Sequence, residues 1–144
     1  MSETLRHGVI DDAAQIASFQ VAMAMETEAK VLSEETVLTA VRSVFSNAEK
    51  GFYLVADHDG DVVGSLLITY EWSDWRNSNM WYIQSVYVSP AHRRKGIFQR
   101  LYRKVLELAK EKDVSYVRLY VETENKVAQA LYERLGMKLS LIHI

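Results

Sequence analysis

Positions 92 to 99 read His92-Arg93-Arg94-Lys95-Gly96-Ile97-Phe98-Gln99, a cationic run closed by one glycine. A helical pattern follows it. Ile97, Leu101, Val105 and Leu108 fall on one stripe, with Phe98, Tyr102, Leu106 and Ala109 beside it. An apolar run, Trp81 to Val88, precedes it and reads as a strand. Ser89-Pro90 ends that strand, because proline has no N–H for the ladder. A basic loop therefore joins a strand to the start of a helix. Free N–H groups, the helix dipole and the cations of Arg93, Arg94 and Lys95 all favour an anion there, and a pyrophosphate suits the geometry. A solvated basic turn before a helix would show the same residues, so this spacing leaves both readings open.

Other chemistries find less support. The chain has no cysteine, which removes thiolate nucleophiles, disulfides and zinc ribbons and fits a reducing compartment. His7, His58, His92 and His143 are scattered without zinc-ligand spacing, so no metal is expected. Asp57-His58-Asp59-Gly60-Asp61 has the carboxylates of a calcium loop but not its closing glutamate, whereas Asp-Gly suits a tight hairpin. A net charge of −2 argues against a nucleic-acid partner, although the basic residues from His92 to Lys112 keep a nucleic-acid binder as a rival. No leader pattern occurs, and no apolar run approaches the roughly 20 residues of a membrane helix. The expectation is a soluble cytoplasmic protein with no membrane partner.

The chain has 144 residues, enough for one domain with a real core. Leu5 to Ile10 reads as a strand, and Asp11-Asp12 as the cap region of a helix through Ala13, Ile16, Ala17 and Ala24. That helix runs into Met25-Glu26-Thr27-Glu28. Ser33 and Thr36 are candidate caps of a second helix with Val37, Val41, Val44 and Phe45 buried. Phe52 to Ala56 and Val62 to Tyr70 form a hairpin, and Glu71 to Asn79 reads as the next turn. After the long helix come a strand from Ser115 to Val121 and a helix from Asn125 to Leu135, stopped by Gly136. Three hairpin-linked strands predict an antiparallel meander. The strand–helix–strand from Trp81 to Val121 needs a crossover, so those two strands should be parallel. The fold class is α/β, a mixed and mostly antiparallel sheet with helices on both faces.

Two motifs in this order resemble the GNAT superfamily of acyl-CoA-dependent N-acyltransferases. One is Arg/Gln-x-x-Gly-x-Gly/Ala, here Arg93 to Phe98. The other is Asn-x-x-Ala-x-x-x-Tyr-x-x-x-Gly-Phe, here Asn125, Ala128, Tyr132, Gly136 and Met137. The resemblance covers nearly the whole chain. It implies a GNAT-like sheet whose two parallel strands splay apart, with acetyl-CoA as acyl donor. The pantetheine arm would pair with the backbone of Val86, Tyr87 and Val88. The pyrophosphate would sit on the amides from Arg94 through Gly96 and Ile97 to Gln99. Arg93, Arg94 and Lys95 would add charge, and Asn125 belongs to the cofactor side. Phe98 departs from the motif, which ends in Gly or Ala. Its ring must turn into the core if the phosphate is to approach.

The implied reaction is acetyl transfer to a primary amine of a small molecule or peptide by direct attack, with no metal and no nucleic acid. The resemblance admits a homodimer. Tyr132 matches the family tyrosine that protonates the thiolate, though it would also serve as a core aromatic. An oxyanion would take a backbone N–H near Val86–Val88. Relatives carry a glutamate base where this chain has Gln84. Glu71 and Asp74, and Glu26 and Glu28, are alternative carboxylates. Beside Trp72, Trp75 and Trp81 they could bind a cationic amine, or the tryptophans could simply fill the core. Glu71 is taken as the base, and Glu28, Asp74 and Gln84 as substrate contacts. A catalytically silent CoA-binding or regulatory module is the alternative reading.

The ending is unlike the family's. Leu139-Ser140-Leu141-Ile142-His143-Ile144 is what CTG TCT CTT ATA CAC ATC encodes, the inner end of a common transposase sequencing adapter. The domain is therefore expected over residues 1–138, with 139–144 a non-native tail and the last strand of the sheet truncated.

Overall fold

Alternation along the strands sends side chains to two separate cores, one on each face of a single sheet. The computed structural model describes residues 3–121 and 124–140. Strands β1 (Thr4–His7), β2 (Phe52–His58), β3 (Asp61–Ser73), β4 (Ser78–Val88) and β5 (Val117–Leu119) lie side by side in chain order. Neighbours run antiparallel except β4 and β5, which pair in parallel as the crossover requires.

The helices are α1 (Ala13–Glu28), α2 (Glu34–Ser46), α3 (Ile97–Glu111) and α4 (Lys126–Arg134). On one face, Ile97, Leu101 and Val105 of α3 pack on Leu54, Leu66, Ile68, Trp81 and Ile83. On the other, Ala13, Ile16 and Ala17 of α1 and Val41 of α2 pack on Tyr53 and Val55. Helices thus cover both faces of a mixed sheet, as the element order predicts. Ser33 caps α2 by accepting from the Thr36 N–H at 3.2 Å, so Thr36 is donor rather than cap.

Strand boundaries agree with expectation at the first hairpin and differ elsewhere, beginning with β1, which ends at His7 and not at Ile10. Asp59 (φ 52°) and Gly60 (φ 94°) make the tight hairpin between β2 and β3. The next turn, however, is much shorter than Glu71 to Asn79. Glu71, Trp72 and Ser73 still pair with Met80, Asn79 and Ser78. No glycine or proline interrupts this stretch, so the ladder continues until Asn77 supplies a positive φ of 50°. Conversely, β5 keeps only Val117–Leu119 of the expected Ser115 to Val121, because its neighbour turns away. Leu139 is exposed, and Leu141 to Ile144 lie outside the described residues.

Asp12 does not cap α1 forward. Its carboxylate accepts from the Val9 N–H at 2.8 Å and from Arg6 at 2.8 and 3.1 Å. Arg6 also reaches Asp57 at 3.0 Å, which ties β1, β2 and the start of α1 together. Burial alone would raise the pKa of Asp12, but Arg6 and the Val9 amide more than offset this and hold it below the usual carboxylate value. A depressed folded pKa means the stabilisation is complete above the unfolded value, about 4. It is lost as pH falls through the lower folded value. Asp12→Asn is expected to cost about 2 kcal/mol at pH 7 and to flatten the acid limb of Tm against pH. Thermal melts from pH 7 to 2.5 check both.

Candidate active site

Beyond the pair Ile83↔Leu119 no further β4–β5 pairing exists among the described residues. A bulge in β4 begins the separation. Leu67 pairs with Gln84 and Ser65 with Tyr87, so Ser85 and Val86 together oppose one β3 residue, and Ser85 takes a φ of 55°. Among the described residues the edge of β4 facing β5 is therefore without a strand partner from Val86 to Val88, and of its groups the Val88 carbonyl accepts from the Arg93 side chain at 2.8 Å. The Ser89 N–H donates to Val63 O on β3 at 2.8 Å. In a trans peptide the Val88 carbonyl must then point the other way, toward the open edge.

The basic loop continues from this edge. A single 3-10 turn, Pro90–His92, leads into it. Arg94 (φ 64°) and Gly96 (φ 76°) are both left-handed, with Lys95 at negative φ between them. Such alternation turns successive amides toward one point. The amides of Arg94, Lys95, Gly96, Ile97, Phe98 and Gln99 make no hydrogen bond among the described residues. The ladder of α3 opens with Arg100 N–H to Gly96 O at 3.1 Å. Unpaired donors at a helix start form an anion cradle. The Arg94 and Lys95 side chains are exposed beside it and form no ion pair among the described residues.

Arg93 behaves differently from its neighbours. Its Nε donates to Val88 O at 2.8 Å and its Nη2 to Glu26 Oε1 at 3.0 Å, with the guanidinium 5.1 Å over the Tyr87 ring. The Tyr87 hydroxyl donates to Glu26 Oε2 at 2.5 Å. These two donors, Tyr87 first and Arg93 second, keep the Glu26 carboxyl below its ordinary pKa. Burial and then Glu26 push the Tyr87 phenol up. The charge of Arg93 is thus directed to the end of α1 and away from the loop amides.

Phe98 is half-buried and packs against the core under α3. Its ring lies 6.2 Å from that of Tyr102 and edge-on to Tyr132 at 5.9 Å. Asn125 caps α4, its Oδ1 accepting from the Ala128 N–H at 3.1 Å. That bond gives the Asn-x-x-Ala spacing a structural reason. Tyr132, on the next turns of α4, is half-buried, and burial pushes its phenol pKa up.

Glu71 and Trp81 do not join the exposed tryptophans. Trp81 is buried at 2 % exposure in the α3 core, while Trp72 and Trp75 are exposed at 62 % and 90 %. Strand alternation places Glu71 on the face opposite Trp72. There it sits 3.8 Å from Arg118. Asp74 lies in the β3–β4 turn, and Glu28 is the exposed last residue of α1. Gln84 is on the same face as Glu71 and donates to Thr69 Oγ1 at 2.7 Å. Met80, Tyr82, Arg118 and Tyr120 share this face, and sequence reasoning passed over them. Counting back by twos from Gln84 would have found the first two. Among the described residues no group of metal-ligating side chains occurs.

The family model described as "Acetyltransferase (GNAT) family" matches residues 20–137. A bovine (Bos taurus) thialysine N-epsilon-acetyltransferase is 40% identical over 75 residues, which are 52% of this chain and 44% of that protein. The chain spans about half the length of the curated relatives it matches. Among solved structures, a "possible acetyltransferase from Clostridium difficile 630" is 38% identical with a TM-score of 0.93, covering 100% of this chain and 95% of that one. A "predicted acetyltransferase with acetyl-CoA" from Clostridium acetobutylicum shares the fold at 15% identity, with a TM-score of 0.80 over 99% of this chain and 95% of that one.

Proposed function

Since the chain belongs to the GNAT acetyltransferase family, we propose that it transfers an acetyl group from acetyl-CoA to a primary amine by direct attack. The observation that carries this reading is the row of unbonded amides from Arg94 to Gln99, set beside the open edge of β4. The amides hold the diphosphate, and Arg94 and Lys95 attract it from the rim. The thioester arm lies along Val86 to Val88, in the gap where β4 and β5 part.

In the reaction the amine nitrogen bonds to the thioester carbon, the C–S bond breaks and the thiolate takes a proton. Tyr132 supplies that proton, because its raised pKa keeps it protonated at neutral pH. A backbone N–H near the bulge receives the oxyanion. Gln84 cannot accept a proton from an ammonium, so the amine attacks in its neutral form and its proton passes to solvent water. The domain extends over residues 1–138. With Phe98 turned into the core, the reason for preferring a silent module weakens.

Coenzyme A is expected to raise Tm by several degrees at saturating concentration, whereas pantetheine, which lacks the diphosphate, is expected to raise it little. Arg94→Ala with Lys95→Ala should weaken coenzyme A binding about tenfold or more, through two lost charge contacts. A melt unchanged by millimolar coenzyme A overturns the reading.

A further inference from the structure

Helices α1 and α2 pack on the β2 side of their sheet face, and α1 reaches β4 at Tyr87, whose ring meets that of Phe19 at 5.1 Å, while the stretch of β4 and β5 around Tyr82, Gln84 and Tyr120 stays accessible. There two tyrosines and an arginine meet. The rings of Tyr82 and Tyr120 are 4.9 Å apart, and the Arg118 guanidinium lies 6.0 Å from the Tyr82 ring centre. Tyr120 is 75 % exposed, at the point where β5 leaves β4. The phenol of Tyr82 is pushed up by burial first and by the Tyr120 hydroxyl second, while Arg118 opposes both. All three polar heads therefore share one small region.

Arg118 is oriented more than it is neutralised. Its Nη2 donates to the Met80 thioether at 2.8 Å, a weak acceptor. Its Nη1 is 3.8 Å from Glu71, too long for a strong hydrogen bond, and both side chains are about half exposed, at 40% and 53%. Among the described residues Arg118 keeps donors to spare, and a planar guanidinium seated by an aromatic ring and flanked by phenol hydroxyls recognises a carboxylate.

We propose that Arg118, Tyr82 and Tyr120 bind the carboxylate of an acceptor amine, so that the substrate is an amino acid whose reacting amine is on its side chain. Spacing sets the length. Tyr82 and Gln84 are two residues apart on one face, about 7 Å, and the bulge begins just beyond. A carboxylate at Arg118 therefore places an amine at the open edge only across a chain of several carbons. Glu71, beside Arg118, is positioned for the α-ammonium of the same molecule. This inference rests on the acetyl-transfer reading for its chemistry, although not for the binding itself.

The test compares lysine with cadaverine, the same diamine without the carboxylate. Thiol release from acetyl-CoA is expected to give lysine a kcat/KM about tenfold or more above cadaverine, carried by KM. Arg118→Gln should remove that preference by raising the lysine KM, leaving the cadaverine value and the coenzyme A melting shift within about twofold. Equal use of the two amines, or an equal fall for both in the variant, overturns the proposal. Direct binding separates it from the acetyl-transfer reading. NMR signals of the Tyr82 and Tyr120 rings should move on titration with 6-aminohexanoate, stay put with hexylamine, and stop responding in Arg118→Gln. If no amine is turned over while these shifts occur, acetyl transfer fails and the carboxylate site stands. If the rings ignore 6-aminohexanoate, the carboxylate site fails whatever the turnover.

Discussion

Tyr132→Phe is expected to lower kcat about a hundredfold, within the range for removal of a positioned general acid, and to leave coenzyme A affinity unchanged. The substitution deletes one hydroxyl and keeps the ring that meets Phe98 edge-on at 5.9 Å. Packing between α3 and α4 therefore survives, and a loss of activity reports proton delivery. Because burial raises the phenol's pKa, Tyr132 stays protonated through neutral pH. Any alkaline fall in rate below about pH 10 must then come from another group. Steady-state kinetics with acetyl-CoA and an accepted amine, and a pH profile of both proteins, check this. A change of less than threefold would reduce Tyr132 to a packing residue.

Gly51→Ala is the substitution expected to do most damage to the fold. Gly51 is buried at the entrance to β2 with φ 145°, and a Cβ there would stand 2.1 Å from Ile68 O. That oxygen is backbone in the middle of β3, next to the paired residues Phe52↔Ile68, so it cannot swing aside. Moving it separates β2 from β3 at the centre of the sheet. The cost should exceed about 4 kcal/mol, in the class of overpacked core sites with special backbone geometry. Urea unfolding, or the soluble yield if none folds, measures it. Gly96→Ala is the contrast. Its Cβ would meet nothing within 4 Å, and only the positive φ of 76° is strained. The two glycines thus separate steric exclusion from conformational preference.

Which parts were readable from sequence follows from the range of the interactions. The α3 stripe, the Asp59-Gly60 hairpin and the Ser33 cap depend on neighbours a few residues away, and the pattern showed them, while the parallel crossover followed from the order strand–helix–strand. The ends of β3 and β4 were missed because Glu71, Trp72 and Ser73 have ordinary turn composition. Only their partners Met80, Asn79 and Ser78 across the ladder keep them extended. The shape of the loop before α3 was legible because glycine and a helix start carry its geometry. The roles of single side chains within it were not. Arg93 looks identical to Arg94 in sequence, yet Glu26, 67 positions earlier in the chain, claims it. Grouping Glu71 with the tryptophans failed because proximity along a strand is not proximity in space. Adjacent residues face opposite sides, so Glu71 and Trp72 cannot share a surface. Arg118 and Tyr120 escaped notice because a three-residue strand gives alternation little room to register.

The kink at Ser85 also divides labour along one strand. Upstream, Tyr82 and Gln84 look onto the accessible face that carries Arg118; downstream, Val86 to Val88 border the gap beside the cationic turn. An extra residue absorbs the twist between the two stretches, so substitutions in the first need not disturb the second. On the proposed reading, selectivity for the incoming partner can thus drift while handling of the donor stays fixed, a modularity written into eleven consecutive residues.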